Sequence, residues 1–133
     1  MISLVLDTHT IIWLTHGDAR LSLTARQAID AVTEQASQVA ISSISLVETA
    51  YLEEKDRIPA GTLVGVLSLL DAPHPLLVEV PVTRQIIAAL LNISRVTVPD
   101  MPDRVIAATA LSLSVPLVSR DRKIQDSQIQ TIW

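Results

Sequence analysis

Apolar residues come along this chain in short blocks, and the blocks follow two different periods. Residues 2–6, Ile-Ser-Leu-Val-Leu, form a short, largely apolar run that ends on Asp7. A run of this length without polar alternation predicts a strand buried on both faces. Residues 38–42, 76–80, 116–119 and 129–133 predict further short strands. Between them the apolar positions fall at helical spacing. Helices are predicted over 8–14, over 23–32 behind a Ser22 cap, and over 42–55. Pro59 opens another over 60–70, and Thr83 caps one over 84–91. Pro102 marks a first helical turn that continues over 103–111. Residues 15–18 and 71–75 break the pattern as turns, and 94–100 reads as loop.

Strands that alternate with helices make βαβ units, whose crossovers are right-handed. The predicted fold is α/β: a three-layer α/β/α sandwich around a central, mostly parallel sheet of four to five short strands. No repeat, low-complexity segment or linker interrupts the 133 residues, so 1–133 reads as a single domain.

Composition narrows the picture only in places. With no Phe, one Tyr and two Trp, the core must come from Leu, Ile, Val and Ala. The absence of cysteine removes disulfides and thiolate zinc sites and suits a cytoplasmic protein. The apolar N-terminus lacks a basic segment and contains Asp7, unlike a signal peptide, and no run is long enough for a membrane span. A net charge of −4 argues against simple coating of nucleic acid. It does not exclude an acidic site that holds cations, which then meet phosphates. Neither glycine-rich nucleotide motif occurs.

Four carboxylates stand in telling places. Asp7 and Asp121 follow predicted strands, Asp103 lies in a first helical turn, and Glu48 lies early on a helix that follows a strand. In a parallel sheet all four face one edge, the edge where ligands bind. Each also has a structural reading. Asp7 serves equally as an N-cap. Ser45-Leu46-Val47-Glu48 fits a capping box. Asp100 and Asp103 suit the positive end of a helix, and Asp121 suits a turn. Together, four converging acids repel one another and hold protons more tightly unless something positive compensates. Divalent Mg²⁺ or Mn²⁺ is the natural compensation, and such sites serve phosphodiester cleavage.

The ordered set of motifs resembles the PIN-domain family, and in particular the VapC-like toxins of type II toxin–antitoxin pairs. The set comprises Leu6-Asp7-Thr8-His9-Thr10-Ile11-Ile12-Trp13-Leu14, Leu21-Ser22 and Ile41-Ser42-Ser43-Ile44-Ser45-Leu46-Val47-Glu48. It continues with Asp100-Met101-Pro102-Asp103-Arg104 and closes with Leu117-Val118-Ser119-Arg120-Asp121. The resemblance implies a metal-dependent endoribonuclease that cuts RNA and inhibits translation. It also implies a magnesium cofactor for which manganese substitutes, a cognate antitoxin and a homodimer. By the family pattern Asp7, Glu48, Asp103 and Asp121 are the catalytic acids, with Asp7 and Asp103 the direct metal ligands. Thr8, Ser119, Arg104 and Asp100 support them: Ser119 orients the site, Thr8 bonds there or caps the helix, Arg104 pairs with a carboxylate or meets RNA, and Asp100 is an outer acid. Many relatives carry an aromatic residue before the third acid; here the proline is shifted by one and the aromatic is gone.

Arg84, Arg95, Arg120, Arg122 and Lys123 offer a modest basic rim for RNA, although solvated surface is the commoner role of such charges. His9 reads as a core or interface histidine, and Trp13 as a packing residue. Ile11, Ile12, Leu63, Val66 and Leu67 suit either core or a groove for a partner. Two other functions compete. An aspartyl phosphatase is disfavoured because Asp7-Thr8-His9-Thr10 lacks a second acid two residues on. A non-catalytic PIN-like module that binds RNA or protein is disfavoured because all four acids are present.

Overall fold

A computed structural model describes all residues, 1–133. The chain forms β1 (Ile2–Leu6), α1 (Thr8–His16), α2 (Leu23–Glu34), β2 (Gln38–Ser42), α3 (Ser43–Glu54) and α4 (Thr62–Leu70). It continues as β3 (Leu77–Val80), α5 (Arg84–Leu90), α6 (Met101–Leu113), β4 (Leu117–Val118), α7 (Arg122–Gln125) and β5 (Thr131–Ile132). The five strands form one sheet in the order β3-β2-β1-β4-β5, and every pairing is parallel. The predicted "mostly parallel" sheet is therefore wholly parallel.

Alternation along the strands builds two cores. Leu4, Leu6, Val39, Ile41 and Val118 face a cluster with Ile11, Ile12, Ile29, Val32 and Val66, which come from α1, α2 and α4. Val5, Ala40 and Leu117 face the other cluster, with Ile86, Ile106 and Ile124 from α5, α6 and α7. These are the outer layers of the sandwich. Burying a side chain such as Leu6 contributes about 2 kcal/mol, and Val5, Leu6 and Ile41 are fully buried. β1 is the centre of the sheet, so the residue that follows it sits at the centre of the C-terminal edge.

Local chemistry explains the boundaries. Ser22 and Thr83 cap α2 and α5 as predicted. α4 begins two residues later than the proline suggests. Thr62 Oγ1 donates to the Pro59 carbonyl at 2.6 Å, and Gly61 takes the N-cap at φ 87, where a side chain is strained. Pro102 is the second residue of α6, where its missing N–H is one of the helix's unpaired donors in any case. α7 was not predicted. Its four residues are too few for a periodic signal, and Asp121 is its N-cap rather than a plain turn residue. No helix is long and apolar enough to cross a membrane.

Candidate active site

The parallel sheet brings Asp7, Glu48, Asp103 and Asp121 to one recess of about 260 Å³. Asp100, Thr8 and His9 complete its lining, and no hydrophobic residue takes part. Asp7 follows β1, and Glu48 comes from the helix behind β2. Asp121 follows β4, and Asp103 rises in the first turn of α6.

The structural and functional readings of Asp7 prove compatible. Its Oδ1 accepts from Thr10 N at 2.9 Å, which caps α1. That is the one hydrogen bond its carboxylate accepts, so Oδ2 is left for a ligand. Thr8 does no capping. Its hydroxyl donates to Glu48 Oε1 and lies 3.0 Å from the Ser45 hydroxyl. The capping-box reading of Ser45 and Glu48 is corrected accordingly. Ser42 caps α3, accepting from Ile44 N at 3.2 Å. Ser45 and Glu48 lie one turn further in, on the face turned towards α1.

Ser119 is fully buried. Its Oγ accepts from Asp121 N at 3.0 Å, which fixes the backbone that carries the fourth acid. Asp121 Oδ1 in turn accepts from Lys123 N at 2.8 Å and Ile124 N at 3.2 Å. Asp100 caps α6, its Oδ2 accepting from Asp103 N at 3.2 Å.

Charge in the recess is uncompensated. Burial first, then the negative charges of Asp100, Asp121, Glu48 and Asp7, push the Asp103 carboxyl up to about 7. Burial likewise raises Glu48, against the hydrogen bond from Thr8. No basic side chain forms an ion pair with any of these acids; the molecule's one salt bridge joins Arg20 to Asp18 at 2.8 Å. The donors are all hard oxygens, the set a Mg²⁺-like cation takes. They do not form a finished cage, since no three acids are grouped tightly enough to hold a metal ion as they stand. Mutual repulsion opposes such closure, and a hydrated cation needs only one or two carboxylates directly. The predicted convergence holds for the recess but not for a preformed ligand sphere.

Arg104 corrects an expectation. It neither pairs with a carboxylate nor reaches the recess. Its guanidinium donates to the carbonyls of Leu90 at 3.1 Å and Ile93 at 2.9 Å, so it ties the end of α5 to α6. Its Nε is buried without a partner. The basic rim also shrinks. Arg84, Arg95, Arg122 and Lys123 are exposed and line no part of the recess. Arg120 alone stands beside it, in an adjoining hollow shared with Asp7 and Asp121.

His9 is the site residue that sequence reasoning undervalued. It is exposed, not core, and lines the recess. Its adjacency to Asp7 and Thr8 was the available signal. Trp13 is a packing residue as predicted, 3% exposed and 5.7 Å from the Trp133 ring. Ile11, Ile12 and Val66 are core, Leu63 is half-buried and Leu67 is 39% exposed.

Fold and site together define a class of α/β proteins whose chemistry is set by carboxylates grouped where parallel strands end. Within that class, the family profile described as PIN domain matches residues 4–128, and the chain belongs to the PIN-domain family. It is 32% identical over 136 residues to a protein named ribonuclease VapC22 from Mycobacterium tuberculosis, covering 100% of both chains. Among solved structures, VapBC2 from Rickettsia felis bound to a promoter DNA fragment is similar at TM-score 0.72 and 17% identity. That match covers 98% of this chain and 97% of the other. A toxin–antitoxin complex from Klebsiella pneumoniae is similar at TM-score 0.68 and 21% identity, with the same coverage. FitAcB from Neisseria gonorrhoeae follows at TM-score 0.58 and 19% identity, over 96% and 95% of the two chains.

Proposed function

We propose that residues 1–133 act as one PIN-like domain: a metal-dependent endoribonuclease, the toxin of a type II toxin–antitoxin pair, that cuts RNA and so inhibits translation. The observation that carries this reading is the recess of four acids with no compensating cation of its own. The full-length similarity to a protein named a ribonuclease supports the activity. Solved toxin–antitoxin complexes with the same fold support an antitoxin partner.

Asp7 and Asp103 would hold the cation, magnesium or, in its place, manganese. When bound, the cation supplies a water of lowered pKa and positive charge beside the phosphate. The chain's own residues prepare the site. Capping by Thr10 N holds Asp7 in one orientation and leaves its second oxygen free. Asp103 would give up its proton once a bound cation offset its four negative neighbours. Thr8 steers the Glu48 carboxylate, and Ser119 holds the main chain at Asp121. The protein works in the cytoplasm, as a homodimer, and is neutralised there by its antitoxin.

The test is cleavage of cellular RNA by the purified protein, freed of any partner, in Mg²⁺ or Mn²⁺ and in chelator. Metal-dependent cutting that disappears in Asp7→Asn is the expected result, as is growth arrest on expression that the same substitution relieves. Inactivity on all RNA with both metals would overturn the enzyme reading and favour a non-catalytic binding module.

A further inference from the structure

A second feature adjoins the acidic recess and carries the opposite charge. Trp13 is almost wholly buried, yet two guanidinium groups rest against its ring. Arg120 lies 4.6 Å from the ring centroid and Arg20 lies 5.3 Å from it. The His9 ring leans on the same indole at 5.6 Å. Trp13 is thus a buried anchor that holds cations in place at the surface.

These groups line neighbouring hollows that share residues. The hollow of about 170 Å³ beside the recess shares Asp7, His9 and Asp121 with it, and adds Trp13 and Arg120. A larger hollow of about 410 Å³ shares His9 and Trp13 with the second, and adds Arg20 and Arg57. Asp18 is the acid in that last stretch, and Arg20 already satisfies it with hydrogen bonds of 3.1 and 2.8 Å. Arg120 and Arg57 have no ion-pair partner. Arg120 stands nearest the acids and Arg57 lines the hollow farther from them.

We propose that these neighbouring hollows form one channel, the path of the RNA strand on one side of the scissile bond. Arg120 takes the phosphate nearest the acids and Arg57 takes one further along. The inference rests on the nuclease reading for the identity of the strand, because a strand held at the acids has to leave by some exit. Charge complementarity favours this one. Both guanidinium groups are exposed and open to a phosphate, whose oxygens their planar donors match. Seating Arg120 on Trp13 removes rotamer freedom before the strand arrives. The exposed His9 ring stands between the two phosphate positions and offers a stacking face for a base.

The test is fluorescence anisotropy with a single-stranded oligoribonucleotide of mixed sequence, in EDTA, over a series of salt concentrations. Arg120→Met and Arg57→Ala are each expected to weaken binding by about fivefold, and to lower the slope of log affinity against log salt by about 0.7. Arg26→Ala, a loss of equal charge on α2 away from the channel, is expected to change neither quantity. Unchanged affinity and slope in both channel variants would overturn the path, as would equal losses in Arg26→Ala. Failure of the two readings is separable. If the wild type cuts RNA with Mg²⁺ but the channel variants bind like wild type, the path is wrong and the nuclease stands. If no metal supports cutting while the variants still lose oligonucleotide binding, the path stands without the nuclease.

Discussion

The two edges of the same sheet could hardly differ more. At the N-terminal edge of β2 and β3 lies a hollow of about 500 Å³, lined by residues that include Met1, Thr33, Gln38 and His74, with no carboxylate. At the C-terminal edge lies a recess of about half that size, lined mostly by acids. The larger hollow has no carboxylate with which to hold a hard cation. The smaller one has charge that the fold leaves unneutralised. In a parallel sheet every strand delivers its following residue to the C-terminal edge, and every helix that follows presents N–H groups there. Asp7, Asp100 and Asp121 use those N–H groups as caps. The caps hold carboxylates at the edge, and the grouping of caps makes the site.

The comparison breaks most sharply at the acids. Asp7→Asn and Asp103→Asn are each expected to lower RNA cleavage by roughly a hundredfold or more while leaving the thermal transition cooperative. Kinetics with Mg²⁺ alongside circular dichroism would measure both. A fully buried residue between the edges behaves in the opposite way. Ile106→Ala is expected to destabilise the fold by about 2–5 kcal/mol in urea unfolding, because it opens a cavity.

The supporting hydroxyls come next. Thr8→Val removes the donor to Glu48, and Ser119→Ala removes the acceptor for Asp121 N. Each is expected to reduce cleavage by about tenfold or more, with only about 1 kcal/mol lost from stability. At the other edge, Gln38→Ala deletes the hydrogen bond to the Pro75 carbonyl. Its expected effect is about 1 kcal/mol on stability and none on cleavage.

The smallest effect is electrostatic and has a definite sign. In the folded chain Asp103 titrates at about 7, above its ordinary 3.8. Between those values the folded, metal-free protein binds more protons than the unfolded chain, so its stability falls as pH rises. Asp103→Asn removes that penalty. The metal-free variant is expected to be more stable than wild type by about 1 kcal/mol at about pH 8, after allowance for solvent screening, and nearly equal at about pH 4. Denaturant unfolding in EDTA at the two pH values reads the difference. Metal affinity runs the other way, rising as pH passes through about 7, because the cation has to displace the Asp103 proton.

Much of this was legible in the chain. β2 matches its predicted bounds, 38–42, because a β-branched run between polar residues leaves little choice. Ser22 and Thr83 announce the starts of α2 and α5 through short-range hydrogen bonds that any chain can form. α7 and the weak strands β4 and β5 were less legible, since two to four residues carry no period. Glu48 was found for the right reason but with the wrong local partner. A capping box is a pattern four residues long, and it was decided against by Thr8, forty residues away.

Arg104 and Arg120 show the limit most clearly. In sequence each arginine neighbours an acid of the recess. In the fold Arg104 turns away to the carbonyls of Leu90 and Ile93, while Arg120 turns in beside Asp7 and Asp121. Periodicity and capping act over a few residues, so the chain by itself determined the elements, their alternation, and hence a parallel sheet with acids at one edge. Direction and neutralisation of charge depend on what packs across the sheet. Only the tertiary structure decided which arginine stands beside the recess, that Asp7 caps and faces the recess at once, and that Asp103 is the acid that holds its proton most tightly there.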